Sequence, residues 1–149
     1  MKREAVLKHE FVEYIPNDLK ETTIYVSMSF AIVAHKCCCG CGNEVITPIS
    51  PTDWQLTFDG ESISLYPSIG NWNFDCKSHY WIIRNRVKWA RQWSQKEIES
   101  GRVLDRLAKE RYFDGTKTPA LHDTIANVGG SGEGKTRESL WSKLKKWLF

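Results

Sequence analysis

The sequence predicts a compact α+β domain of mostly short antiparallel strands, and three observations support this fold class. Short stretches that alternate apolar and small polar residues, such as 22–30, are typical of half-buried strands. Asp59-Gly60 lies between two such stretches, 54–58 and 62–66, and is a strong hairpin signal. Ser94 and Glu97 form a capping-box pattern that predicts one helix over about 95–112.

The positions of the remaining strands are predicted from the proline and turn-forming residues that bound them. Further strands are predicted at 9–15 and 44–48, and a second hairpin joins 79–83 to 87–90. Residues 31–34 lead into a cysteine cluster, and 67–76 are rich enough in turn formers to predict a loop.

The predicted helix has an inner side and one weak point. The residues expected to face the domain are Ile98, Leu104, Leu107 and Ala108. Gly101 weakens the helix by about 1 kcal/mol relative to alanine.

The chain divides into three parts by composition. Residues 1–113 are expected to form the domain, 114–136 a flexible linker, and 137–149 a short basic amphipathic helix. Residues 129–136 match the phosphate-loop pattern G-x-x-x-x-G-K-T. A glycine linker accounts for them better, because no buried strand precedes them and no βαβ period surrounds them.

Composition narrows the class of protein. The net charge is +3, from 21 basic and 18 acidic side chains, so no nucleic-acid partner is expected. No stretch approaches the length of a transmembrane segment, and no apolar run follows Met1-Lys2-Arg3. A cytoplasmic location is therefore expected.

Five cysteines indicate a metal site. Cys37, Cys39 and Cys41 alternate along one short stretch, and Cys76 lies far along the chain. Four thiolates from two segments are typical of structural zinc, and His35 or His79 could replace one sulfur. Cys38 is the expected spare thiol, since one member of a Cys-Cys-Cys run must point away.

A nucleophile is also conceivable beside the cysteines. Ser68 lies in the predicted loop, and His79 or His35 could act as its general base if sulfur alone satisfies the metal. Glu13 or Asp75 could orient that base, and Asn71 or backbone N–H groups could stabilise an oxyanion. From the residues alone, a turn serine with an unrelated surface histidine is the simpler interpretation.

A family resemblance strengthens the catalytic interpretation. Its motifs are His9-x-Phe11-Val12-Glu13-Tyr14-Ile15-Pro16, Tyr25-Val26-Ser27, the cysteine cluster, Pro67-Ser68-Ile69-Gly70-Asn71-Trp72 and Cys76-x-Ser78-His79-Tyr80-Trp81-Ile82. Over about residues 9–90 the chain resembles a small bacterial family encoded in bacterial ubiquitination-like (Bub) operons, beside E1-like, E2-like and ubiquitin-like genes. The chain departs from the family at Thr22-Thr23, where relatives often have glycine, and at the extra thiol of Cys38.

The resemblance implies a deubiquitinase-like peptidase, of serine type, that processes a ubiquitin-like protein or removes it from targets. On this interpretation the ubiquitin-like protein and its E1-like and E2-like enzymes are the partners. Ser68 is the predicted nucleophile, His79 the base and His35 the competing base.

Two alternatives remain open at this point. One is a zinc metallopeptidase in which a histidine and two cysteines hold an open zinc, with Glu13 or Glu44 as base. A thiolate-rich site is a poor Lewis acid, which counts against it. The other alternative is a non-enzymatic zinc module that binds a partner.

Overall fold

The structure is a computed structural model that describes residues 5–115. Its strands are β1 (Lys8–Phe11), β2 (Thr23–Ser27), β3 (Ile32–Lys36), β4 (Glu44–Pro48), β5 (Gln55–Phe58), β6 (Ile63–Gly70), β7 (His79–Ile83) and β8 (Arg86–Trp89), and its helix is α1 (Gln95–Phe113). The strands form two four-stranded sheets, in the orders β1-β2-β3-β4 and β5-β6-β7-β8. The predicted fold class, mostly strands with one helix, is confirmed. Only β1 and β2 pair in parallel among these strands.

Buried side chains from both sheets form the main core. The larger cluster includes Ile24 and Val33 from the first sheet and Leu65 and Ile82 from the second. A smaller cluster of Leu19, Tyr25 and Ala34 lies on the other face of the first sheet, because successive strand residues point to opposite faces. All five residues of β2 are consequently buried, which corrects the half-buried strand predicted over 22–30.

The N-terminal segment joins the two sheets. Lys8 donates its backbone N–H to the carbonyl of Thr22, which directly precedes β2 of the first sheet, at 2.8 Å. On the other side, Leu7 donates to the carbonyl of Asn85 at 2.7 Å, and Val87 donates to the carbonyl of Ala5 at 3.0 Å. Residues 5–8 therefore link the start of β2 to the β7–β8 turn.

Both predicted hairpins are present, with turns set by local chemistry. In the β5–β6 turn, the Asp59 carboxylate accepts the backbone N–H groups of Glu61 and Ser62 at 2.9 and 2.7 Å. Arg84 and Asn85 both have positive φ, 48° and 60°, which is the type I′ geometry that matches strand twist.

Three predicted boundaries differ from the structure. β1 ends at Phe11 instead of residue 15, and β3 forms where only a lead-in was expected. β6 continues to Gly70, so Ser68 stands on a strand and the connecting loop is 71–78. Pro67 is tolerated because it lies where the β6–β7 register shifts, between Leu65 and Ile69, and its missing N–H is not needed there.

The helix is confirmed in position but not in its inner face. Ser94 accepts from the Glu97 N–H and the Glu97 side chain accepts from the Ser94 N–H, which completes the capping box. Ile98 is buried, whereas Leu104 is 68% exposed, Leu107 39% exposed and Ala108 exposed. Polar contacts instead link the helix to loops between strands, including Lys109 to Asp53 of the β4–β5 connection at 2.8 Å.

Expectations for the linker, the phosphate-loop-like stretch and the basic segment 137–149 lie outside the described residues. Within residues 5–115, no helix is long and apolar enough to cross a membrane.

Candidate active site and metal centre

Four cysteine sulfurs converge between the β3–β4 turn and the β6–β7 loop. The Sγ atoms of Cys37, Cys39, Cys41 and Cys76 all lie within 4.8 Å of one another. The Cys37–Cys39, Cys41–Cys76 and Cys37–Cys76 separations are 3.4, 3.8 and 3.9 Å. A tetrahedron with Zn–S bonds of about 2.3 Å has S–S edges of about 3.8 Å. The four predicted ligands therefore lie close enough together to hold a metal ion, and two of the three separations are close to that edge length.

The turn that carries three of these ligands depends on glycine. Gly40 and Gly42 have φ of 87° and 83°, in the region that residues with a side chain rarely adopt. The turn is closed by hydrogen bonds from Gly40 N–H to the Cys37 carbonyl and from Cys37 N–H to the Asn43 carbonyl. Alternating cysteines and glycines let a short turn direct three sulfurs to one point.

Cys38 and both candidate histidines lie outside the four-sulfur group. Burial raises the pKa of the Cys38 thiol to about 12, so it stays protonated and is a poor metal ligand. His35 Nε2 lies 2.9 Å from the Tyr80 hydroxyl, and burial lowers the pKa of His35 to about 4. His35 is thus a neutral core residue, and the structure does not bring it to Ser68.

Ser68 and His79 meet on neighbouring strands. Ser68 lies in the stretch of β6 where the register with β7 shifts, and such a bulge re-aims a side chain. His79 is the first residue of β7 and pairs with Gly70. The Ser68 Oγ lies 2.8 Å from the His79 Nε2, a short hydrogen bond.

The other nitrogen of His79 fixes the tautomer. His79 Nδ1 lies 2.6 Å from the backbone carbonyl oxygen of Arg91. A carbonyl can only accept, so Nδ1 carries the proton and donates it. Nε2 is then the acceptor for the Ser68 hydroxyl, which is the polarity that a general base needs.

Two indole rings pack against this imidazole. The ring centroid of Trp72 lies 5.0 Å and that of Trp93 5.3 Å from the centroid of His79, and the two indoles stack at 5.5 Å. A Cβ at Gly70 would lie 2.4 Å from the Trp72 ring, so only glycine admits the indole there. Together the rings leave the His79 imidazole mostly buried.

A buried polar network connects the metal centre to the strand that carries His79. Ser78 Oγ lies 3.1 Å from Cys37 Sγ and accepts the Asn71 amide at 2.9 Å. Asn71 also donates to the Tyr80 hydroxyl, which bonds His35. Polar groups buried this deeply normally require such partners.

Several other predicted site residues make contacts that differ from those expected. The amide nitrogen of Asn71 donates into the buried network instead of toward Ser68. Glu13 is exposed, and its backbone carbonyl accepts from Ser27 at 2.7 Å. The group on His79 Nδ1 is a backbone carbonyl instead of the Glu13 or Asp75 carboxylate considered from the sequence. A backbone atom leaves no residue-type signal, so sequence could not reveal it.

Comparison with known proteins supplies the family. A family model described as "Bacterial ubiquitination-like system serine protease (BubE)" matches residues 11–90, more than half of the 149-residue chain. Neither curated proteins nor solved structures give a match. The matched segment contains Ser68, His79 and all four clustered cysteines. The chain belongs to the BubE family of serine proteases of bacterial ubiquitination-like systems.

Proposed function

We propose that the chain is a serine peptidase that processes or removes a ubiquitin-like protein, with Ser68 as nucleophile and His79 as general base. The observation that carries this proposal is the 2.8 Å contact between Ser68 Oγ and His79 Nε2. The Ser68 oxygen attacks the scissile carbonyl while its proton passes to Nε2. His79 then returns that proton to the leaving amine, and water hydrolyses the acyl-enzyme.

The carbonyl on Nδ1 performs the orienting part of a catalytic triad. It holds the imidazole in the productive tautomer, as a carboxylate does in other serine hydrolases. Because a carbonyl is neutral, it stabilises the imidazolium less than a carboxylate would.

The substrate is an extended peptide at a sheet edge. Strand β5 begins at Gln55, whose partner on β6 is Tyr66, so its pairing stops two residues before Ser68. An extended C-terminus of a ubiquitin-like protein placed beside 67–70 would add a strand and bring its backbone to the nucleophile.

The metal has a structural role in this proposal. Four thiolates fill a tetrahedral zinc and leave no position for water or substrate, unlike catalytic zinc. The four-sulfur group contains Cys76 of loop 71–78, which connects the strands of Ser68 and His79. A bound zinc ion would tie that loop to the β3–β4 turn. The metallopeptidase alternative requires a histidine as a metal ligand. Both candidate histidines have other partners, because His79 contacts Ser68 and Arg91 and His35 contacts Tyr80.

The test is cleavage of a ubiquitin-like protein from a bacterial ubiquitination-like system, fused at its C-terminus to a reporter. Ser68→Ala and His79→Gln are expected to lower cleavage by at least about 10³-fold while the fold is retained. Ser64→Ala, on the same strand but bonded to the Arg84 N–H, is the matched control and keeps activity. Cleavage by Ser68→Ala at the wild-type rate would rule out this nucleophile.

A further inference from the structure

We propose that the ion pair between Arg91 and Glu97 is a positioning device that holds the Arg91 carbonyl against His79, an inference that rests on the proposed dyad. Both residues lie just beyond the segment 11–90 that matches the family. Arg91 lies in the connection between β8 and α1, and Glu97 lies in the first turn of α1, so both are outside the strands that carry the dyad.

The Glu97 carboxylate organises this connection through several bonds at once. It binds the Arg91 guanidinium in a bidentate way, with N–O distances of 2.8 and 3.1 Å. The same carboxylate accepts the backbone N–H and the hydroxyl of Ser94 at 2.8 and 2.9 Å. One side chain therefore closes residues 91–97 into a ring and fixes the first turn of α1 to it.

Two further contacts anchor the ring beside the dyad. Ala90 donates its backbone N–H to the His79 carbonyl at 2.9 Å, so the chain enters the ring already attached to β7. Trp93, which lies within the closed segment 91–97, packs on the His79 imidazole. Its indole lies 2.9 Å from where a Cβ of Gly101 would be. Only glycine at that helix position admits the indole.

The Arg91–Glu97 ion pair is present over the whole pH range in which a histidine can act as a base. Hydrogen bonds from Arg91, together with those from Ser94, hold the pKa of Glu97 at about 2, so the carboxylate is ionised at any pH at which a histidine base is neutral. The pair is exposed, 69% at Arg91 and 41% at Glu97, and exposed pairs add little to global stability. Its contribution is the placement of one carbonyl oxygen.

The test measures Ser68 reactivity directly with a fluorophosphonate probe. The Ser68 oxygen bonds to phosphorus, fluoride leaves, and His79 takes the proton, so the labelling rate reports the dyad without a substrate. Arg91→Ala keeps the carbonyl and the capping box but removes the clamp, and Glu97→Ala removes both. Each is expected to slow labelling about tenfold, because small misplacements of a catalytic group are costly.

Two further readouts separate positioning from general damage. With p-nitrophenyl acetate, kcat should fall while KM stays unchanged, and Arg91→Lys should restore part of the loss. The hydrogen-bonded Nδ1 proton of His79 should give a downfield NMR signal that weakens in both variants. Glu99→Ala, an exposed helix glutamate bonded to Gln95, is the matched control and should label at the wild-type rate.

The outcomes distinguish the two proposals. If Ser68→Ala labels like the wild type, the dyad itself is wrong. If Ser68→Ala is unreactive but Arg91→Ala and Glu97→Ala label normally, the dyad stands and the positioning inference fails. Slower labelling with the Nδ1 proton signal unchanged also overturns the positioning inference.

Discussion

At the scale of single residues, the packing around His79 depends on a position without a side chain, Gly70. Gly70 pairs with His79 across the β6–β7 ladder, and the Trp72 ring occupies the space where its side chain would be. The absence of one methyl group thus lets the Trp72 indole cover the His79 imidazole.

We expect Gly70→Ala to be destabilising and to impair Ser68. The new Cβ would lie 2.4 Å from the Trp72 ring, so the indole or the strand must move, at a cost of about 1–3 kcal/mol. Urea unfolding and fluorophosphonate labelling measure the two effects. In a Trp72→Ala background the same substitution should cost less than half as much. An equal cost in both backgrounds would show that the indole is not the obstacle.

At the scale of elements, the helix packs against the rest of the domain mainly through its first turn. Ile98 is its buried residue, whereas Leu104 and Leu107 face outward, so apolar packing fixes little beyond the first turn. The capping box, the Arg91–Glu97 pair and the Lys109–Asp53 pair define where the helix lies. The proposed positioning role of α1 therefore lies at its junction with β8.

We expect this junction to loosen in acid. The pKa of Glu97 is lowered from 4.5 to about 2, chiefly by hydrogen bonds from Arg91, so folding favours its ionised form. Its contribution is complete above pH 4.5 and is lost as pH falls toward 2, where native and unfolded states are both protonated. Hydrogen exchange of the first turn of α1, followed from pH 5 to 2.5, measures the change.

The comparison for this titration is Glu97→Gln, which should show a flatter pH dependence over the same range. Glu99→Gln keeps the Arg91 partner of Glu97 and should follow the wild type. If Glu97→Gln and the wild type loosen in parallel, another group controls the junction.

These elements could be predicted from sequence where the interactions that form them are between residues close together in the chain. The Asp59-Gly60 turn and the capping box are formed by side chains bonding to backbone within three residues, and both were predictable. The cysteine spacing likewise carries its own chemistry, and its four ligands converge as expected.

The rest depended on tertiary contacts. The extent of β6 is not evident from sequence, because Pro67 and Gly70 are typical of strand ends, whereas here a register shift accommodates Pro67 and the Trp72 indole occupies the space beside Gly70. Ser68 and His79 were predictable as types, but the 2.6 Å bond from His79 to the Arg91 carbonyl involves an atom common to every residue. The sequence likewise does not show that the Asn71 amide, a candidate oxyanion donor, would bond to the Tyr80 and Ser78 hydroxyls.

At the scale of the whole molecule, the metal centre and the dyad share one loop. Loop 71–78 begins after the strand of Ser68, ends at His79, and carries Cys76. Cys76 lies against sulfurs of the β3–β4 turn, in the other sheet. Metal bound there would connect both sheets beside the strands that carry Ser68 and His79.

We expect removal of a metal bound by the four cysteines to lower both the stability of the protein and the reactivity of Ser68. A strong chelator should lower the Tm by more than about 10 °C, since each kcal/mol is worth about 4–8 °C in a small domain and structural zinc contributes several. Labelling of Ser68 should fall with it, because loop 71–78 loses its attachment.

Reconstitution separates a structural from a catalytic metal. Cadmium binds the same four thiolates with different Lewis acidity, so it should restore labelling as zinc does. Cys38→Ala should retain one metal ion per chain, whereas Cys76→Ala should lose it. A folded cadmium form without reactivity would place the metal in the chemistry instead.

The N-terminal segment imposes an order on biosynthesis. Ala5 and Leu7 leave the ribosome long before Asn85 and Val87, their hydrogen-bonding partners across the β7–β8 turn. Contacts of such sequence separation slow folding, because a long loop must close before they form. The nascent chain can assemble the first sheet early, but residues 5–8 cannot link it to the second until β8 has emerged. The proposed Ser68–His79 pair has a similar requirement, because the Arg91 carbonyl that bonds His79 is made only after both residues.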